Sequence, residues 1–139
     1  MFEERDGFDL RDEPSDEANQ LSKLVVGAAI EVHRHLGPGH LESAYGEALC
    51  MELTLRRIPF ERQYPITISY KGAPIGESRL DFLVGGMLVV ELKACDAILP
   101  IHRAKVISYL RATGKQLALI INFNVQALRD GIKRVVLTS

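Results

Sequence analysis

The chain has 139 residues, 47% of them hydrophobic and 25% charged, which suits one globular domain with a core of its own. No apolar run approaches the roughly 20 residues needed to cross a bilayer, and the acidic N-terminus is unlike a secretory leader, so a cytoplasmic protein with no membrane partner is expected. The net charge of −1 hides an asymmetry: residues 1–20 hold eight acids against Arg5 and Arg11, so the rest of the chain is basic, which permits nucleic-acid binding without demanding it.

Residues 1–18 are polar and acidic and read as an unstructured tail, with the folded domain over residues 19–139. From Glu17 to Leu36 the residues Leu21, Leu24, Val25, Ala28, Val32 and Leu36 recur at helical spacing. Gly37-Pro38-Gly39 stops that helix, and a second is expected from His40 to Arg57 with Leu41, Ala44, Tyr45, Ala48 and Leu55 as its buried stripe. The period then changes to strand. Ile66, Ile68 and Tyr70 alternate with polar residues, Lys71-Gly72-Ala73-Pro74 turns the chain, and Ile75–Val84 and Met87–Lys93 give two further strands. A helix over 100–113, a fully apolar strand over 116–122, a short helix near 125–130 and a strand over 132–137 complete the chain. This order predicts an α/β fold with a mixed sheet flanked by helices. Cys50 and Cys95 have no metal-ligand spacing and are expected to be reduced thiols.

The chemistry concentrates in Arg79-Leu80-Asp81 and Val90-Glu91-Leu92-Lys93, where three charged residues fall inside two apolar strands. Charged side chains are seldom fully buried unless they are paired or bind a metal. Glu91 and Lys93 share a strand face; a three-residue loop, Gly85-Gly86-Met87, would set Asp81 opposite Glu91, whereas a two-residue loop would put Asp81 on the other face, so a site shared by the two acids requires the longer loop. Two carboxylates beside one ammonium suit a hard divalent cation and an activated water. An ion pair between Lys93 and one carboxylate would account for two of the charges and leave the third. Glu42, in the first turn of its helix, either complements the helix dipole or adds a further acid to the site, and Tyr45 lies three residues on along the same face. His102, Lys105 and Tyr109 form a polar stripe on the helix after the Lys93 strand, read as a solvated face or as groups near the substrate.

Together, Gly39-x-x-Glu42-x-x-Tyr45, Arg79-Leu80-Asp81, Val90-Glu91-Leu92-Lys93-Ala94 and Tyr109-Leu110-Arg111-Ala112-Thr113-Gly114 resemble the bacterial GxxExxY proteins of the PD-(D/E)xK nuclease superfamily. The resemblance runs from Leu21 to Val136 and implies a restriction-endonuclease-like core of αβββαβ order. It implies that Asp81, Glu91, the backbone carbonyl of Leu92 and Glu42 serve Mg²⁺ or Mn²⁺, with Lys93 acting on the attacking water. Tyr45, His102, Lys105 and Tyr109 would lie near the substrate or behind the metal ligands. Two positions depart from the pattern: Leu80 stands where the superfamily's name has proline, and Lys105 where related nucleases often carry glutamine.

The function this implies is metal-dependent hydrolysis of phosphodiester bonds, with DNA as the expected partner and a homodimer as the expected means of cutting both strands. The competing reading is a catalytically weak or inactive nucleic-acid-binding or regulatory module on the same fold. A nuclease needs divalent metal for turnover, whereas a binding module shows only salt-dependent affinity.

Overall fold

The computed structural model describes residues 2–6 and 13–137. Helix α1, Asp16–Leu36, begins where the Ser15 side chain accepts the Ala18 N–H at 3.1 Å, with Asp16 and Glu17 in its first turn. Helix α2, Glu42–Leu55, follows after the Gly37–Leu41 connection. Strands β2, Phe60–Tyr70, and β3, Ala73–Val84, form a long hairpin, and β4, Leu88–Lys93, returns along β3. Helix α3, Pro100–Thr113, crosses to β5, Leu117–Asn122, and a 3-10 turn at Leu128–Gly131 leads into β6, Ile132–Leu137. Within the acidic N-terminal stretch, Phe2–Asp6 runs as strand β1 beside β6, while residues 7–12 of that stretch lie outside the described residues.

The sheet order is β1-β6-β5-β4-β3-β2. Its five-strand body is mixed: β4 and β5 are parallel across the α3 connection, and the other neighbours are antiparallel. This is the restriction-endonuclease-like arrangement expected from the sequence. The β3–β4 ladder pairs Phe82 with Val90 and Val84 with Leu88 around the Gly85-Gly86-Met87 loop. Gly85 suits the turn by its φ of +58°, and a Cβ there would also push the end of the Leu21 side chain, 2.6 Å away at Cδ1, aside.

Two cores cover the sheet. Val25, Val32, Tyr45, Leu49 and Leu53 of the first two helices pack on Phe82, Val90, Leu92, Leu119 and Ile121. On the other face Val106, Ile107, Tyr109 and Leu110 of α3 pack on Leu80, Leu83, Val89 and Ile120. Burial on both faces explains the unbroken apolar runs of β4 and β5.

Two expected stripes shift. Helix α2 buries Tyr45, Gly46, Leu49 and Leu53, whereas Leu41 is 77% exposed and Leu55 71%. Leu41 is the extended N-cap residue and therefore out of phase with the helix it precedes. In α1 the buried face takes Ser22 and Ala29, and Leu24 turns outward. The short helix expected over 125–130 is reduced to the 3-10 turn.

Candidate active site

The site is built where the sheet comes apart. Arg62 pairs with Phe82 and Tyr64 with Leu80, but the rung between them, Gln63 with Asp81, is missing. Gln63 has a φ of +51°, a left-handed conformation that few residues other than glycine adopt. The β3–β4 ladder also ends at Phe82–Val90, one residue short of Asp81 and Glu91. Leu80 and Phe82 consequently face opposite cores, although residues two apart on a regular strand share a face. Asp81 occupies the twist between them.

A buried backbone N–H that leaves a ladder needs another acceptor. The Asp81 N–H donates to Glu91 Oε1 at 3.1 Å, and the Leu92 N–H donates to Asp81 Oδ2 at 2.8 Å. Each carboxylate therefore braces the other strand's backbone. Glu91 is only 9% exposed. Burial above all, and then the charge of Asp81, pushes its pKa up to about 8. Lys93, half-buried on the same strand, pulls in the other direction.

Glu42 joins this field from the first turn of α2. Its carboxyl is held above the ordinary range by partial desolvation and then by Asp81, and is drawn down by Lys93 and Lys105. The residue surface is nevertheless open to solvent. The spacing of Gly39, Glu42 and Tyr45 has a physical basis. Tyr45 Oη donates to the Gly37 carbonyl at 2.5 Å and accepts the His40 N–H at 3.2 Å. Its buried ring stacks on Phe123 at 4.5 Å. Gly39, with φ +98°, turns the chain, and its N–H donates to Asn124 Oδ1 at 3.1 Å. Tyr45 thus pins the loop that sets Glu42 at the helix start. Its hydroxyl is spent inside the fold and does not line the cleft described below.

The α3 stripe divides. Tyr109 is 5% exposed, and its Oη shares a hydrogen bond with Ser78 Oγ at 2.9 Å, tying the β2–β3 hairpin to the helix. His102 Nδ1 accepts the Leu99 N–H at 3.0 Å and closes the start of α3. Desolvation, Lys93 and Lys105 hold its imidazole below the usual value, so Nδ1 is kept free to accept. Lys105 is exposed, with its Nζ 5.9 Å from the Tyr109 ring centroid. Lys105 alone of the three directs charge at Glu42.

A cleft of about 220 Å³ opens over the gap, lined by Glu42, Ser43, Gly46, Glu47, Arg62, Gln63, Asp81, Phe82 and Leu92. Among the described residues, no group of three or more His, Cys, Asp or Glu side chains converges to hold a metal ion. The donors that do meet here are of another kind. Within a strand residue the N–H and C=O point the same way, so a Leu92 N–H aimed at Asp81 turns the Leu92 carbonyl into the same gap. Two carboxylates and a carbonyl are hard oxygen donors suited to a small divalent cation.

The sequence gives no role to three contributors. Arg62 lines the cleft and pairs with Glu47 across 15 positions of sequence. Gln63 breaks the ladder without a glycine to mark it. Asn122 anchors the chain beyond Lys93, its Oδ1 accepting the Cys95 N–H at 3.1 Å and its Nδ2 donating to the Cys95 carbonyl at 2.8 Å. A polar residue ending a fully apolar strand was the available signal for Asn122.

A family model described as the PD-(D/E)XK nuclease superfamily matches residues 19–135. No curated protein and no solved structure matches the chain.

Proposed function

From the premise that the chain belongs to the PD-(D/E)XK nuclease superfamily, we propose that it hydrolyses phosphodiester bonds in DNA with Mg²⁺ or Mn²⁺ and water as the nucleophile. The observation that carries this reading is the reciprocal bracing of Asp81 and Glu91 at the end of a ladder, beside Leu92 and in front of Lys93. Asp81, Glu91 and the Leu92 carbonyl would hold the ion, with Glu42 approaching from α2, directly or through water. When bound, such an ion lowers the pKa of water and offsets charge on the reacting phosphate.

The chain's own groups supply the rest. Lys93 places an ammonium beside the carboxylates, where it orients the attacking water and offsets the negative charge that builds in the transition state. Tyr45 acts as a positioning residue for Glu42 through the Gly37–His40 loop. Asn122 does the same for the segment after Lys93, and the Phe123 N–H donates to the Lys93 carbonyl at 3.0 Å. Within the superfamily we place the chain in the GxxExxY group, supported by Gly39, Glu42 and Tyr45 acting as one unit.

A cytoplasmic location accords with Cys50 and Cys95 both being free thiols. No helix among the described residues is long and apolar enough to cross a membrane. A homodimer through the β2 edge of the sheet is disfavoured: β2 carries Pro65 and the left-handed Gln63, both of which blunt strand pairing.

A second reading, a nucleic-acid-binding module with little turnover, is favoured by Lys105. This ammonium acts on Glu42 where related nucleases often have a neutral glutamine, and it competes with a cation for that carboxylate. The deciding experiment incubates the protein with supercoiled plasmid and with single-stranded DNA and RNA, under Mg²⁺, Mn²⁺ and EDTA. Metal-dependent cleavage lost in Glu91→Gln establishes the nuclease. Metal-independent, salt-sensitive binding without cleavage selects the module.

A further inference from the structure

The cleft over Asp81 has an electrostatic problem. Its lining includes Glu42, Glu47 and Asp81 but a single cationic side chain, Arg62. A nucleic-acid backbone entering such a cleft needs a counter-charge in contact with it. Lys93 and Lys105 are not among the lining residues.

Arg62 is held in an unusual way for a strand arginine. Its guanidinium carbon lies 5.5 Å from the centroid of the Phe82 ring. Its Nη2 lies over Gly46, 3.4 Å from where a Cβ would sit, so the guanidinium is in van der Waals reach of the α2 backbone. Nη1 donates to Glu47 Oε1 at 2.9 Å, and the Cys50 side chain interacts with the guanidinium as a lesser partner. The Glu47 side chain is 74% exposed and that of Arg62 31%. An ion pair this open to solvent contributes little and exchanges readily. The face of Phe82 and the backbone at Gly46, by contrast, stay in place when the pair opens.

We infer that Arg62 is the anchor for a backbone phosphate of the nucleic-acid substrate, and that Glu47 holds it ready until the phosphate displaces the carboxylate. A guanidinium fork matches a phosphodiester as well as it matches a carboxylate, so the exchange conserves hydrogen bonds. The phosphate so held lies in the same cleft as Asp81 and the Leu92 backbone, beside the bond to be cut. This assignment rests on the proposed function and names the group that receives the substrate.

The test measures binding of a fluorescent DNA oligonucleotide in EDTA across a salt series, so that turnover does not enter. Arg62→Gln should weaken binding about tenfold at low salt, the size of one charge-assisted hydrogen bond. It should also lower the slope of log affinity against log salt by about 0.7 to 0.9, the loss of one phosphate contact. Arg62→Lys should recover the slope. Glu47→Gln should tighten binding several-fold, because the carboxylate that competes with phosphate is gone. If Glu47→Gln instead weakens binding as Arg62→Gln does, the pair is merely a structural clamp and the inference is overturned. An unchanged slope in a folded Arg62→Gln protein overturns it as well, while leaving the nuclease reading intact wherever the wild type still cuts. A wild type that neither binds nor cuts nucleic acid overturns both.

Discussion

Asp81 and Glu91 hold each other's strands: Glu91 Oε1 takes the Asp81 N–H, and Asp81 Oδ2 takes the N–H of Leu92, the residue after Glu91. Two acids thereby do the work of a missing ladder rung. The arrangement is mechanically sound and electrostatically costly, since burial and the charge of Asp81 both oppose ionisation of Glu91.

The metal-free protein should lose stability as pH rises from about 5 to 8. Glu91 has a folded pKa of about 8 against an ordinary 4.5, so the folded state binds the extra proton in that window. Its contribution is complete below pH 4.5 and declines as pH climbs through the folded value. Thermal unfolding in EDTA at pH 5, 6.5 and 8 measures this, and Glu91→Gln should flatten the trend. A wild-type trend indistinguishable from that of the variant would remove the account of Glu91.

Metal binding should run the other way. Because a cation takes the ionised carboxylate, affinity for Mg²⁺ or Mn²⁺ should rise about tenfold per pH unit below 8 and level off above it, with one proton released. Calorimetry in two buffers of different ionisation enthalpy counts that proton. Asp81→Asn should abolish the binding, since a neutral amide oxygen is a poorer ligand for a hard cation.

Lys93→Ala should lower cleavage by about 10²–10³-fold with the thermal midpoint little changed, the usual effect of losing one preorganised charge. Lys105→Gln is the contrast: relief of its competition for Glu42 should raise cleavage and tighten Mn²⁺ binding. If the wild type is inert and Lys105→Gln cuts, the chain is a nuclease disabled at that position.

Tyr45→Phe keeps the stack on Phe123 but strands the Gly37 carbonyl and the His40 N–H. The expected cost is about 1–3 kcal/mol of stability. Cleavage should fall further than unfolding explains, because Glu42 loses its fixed approach. Comparing kcat at a temperature where both proteins are fully folded separates the two effects.

The element order was legible because it rests on a local signal, the period of apolar residues; the hairpin register followed only from asking Asp81 and Glu91 to share a face, which selects the Gly85-Gly86-Met87 loop over a two-residue one. Asp81, Glu91 and Lys93 announced themselves as charges in runs built for burial. Other features depend on contacts far apart in sequence and leave little local trace. The Arg62 pair with Glu47 is one, and the Ser78 bond to Tyr109 another. Leu41 departs from the expected α2 stripe because it lies in the cap, where helical phase does not yet apply, whereas Ala44 and Leu55 lie in the helix and face solvent. Gln63 left no local signal because glutamine has no preference for the left-handed φ of +51° that it adopts.

The gap flanking Asp81 has one further consequence. Each carboxylate spends one oxygen on an amide, Glu91 Oε1 on Asp81 and Asp81 Oδ2 on Leu92, and a carboxylate has two. If the pair held a cation, the spare oxygen on each could take it while both amide bonds were kept. The strands would then need no rearrangement between the empty and the loaded protein, so the same two bonds that close the ladder would also keep the cost of loading low.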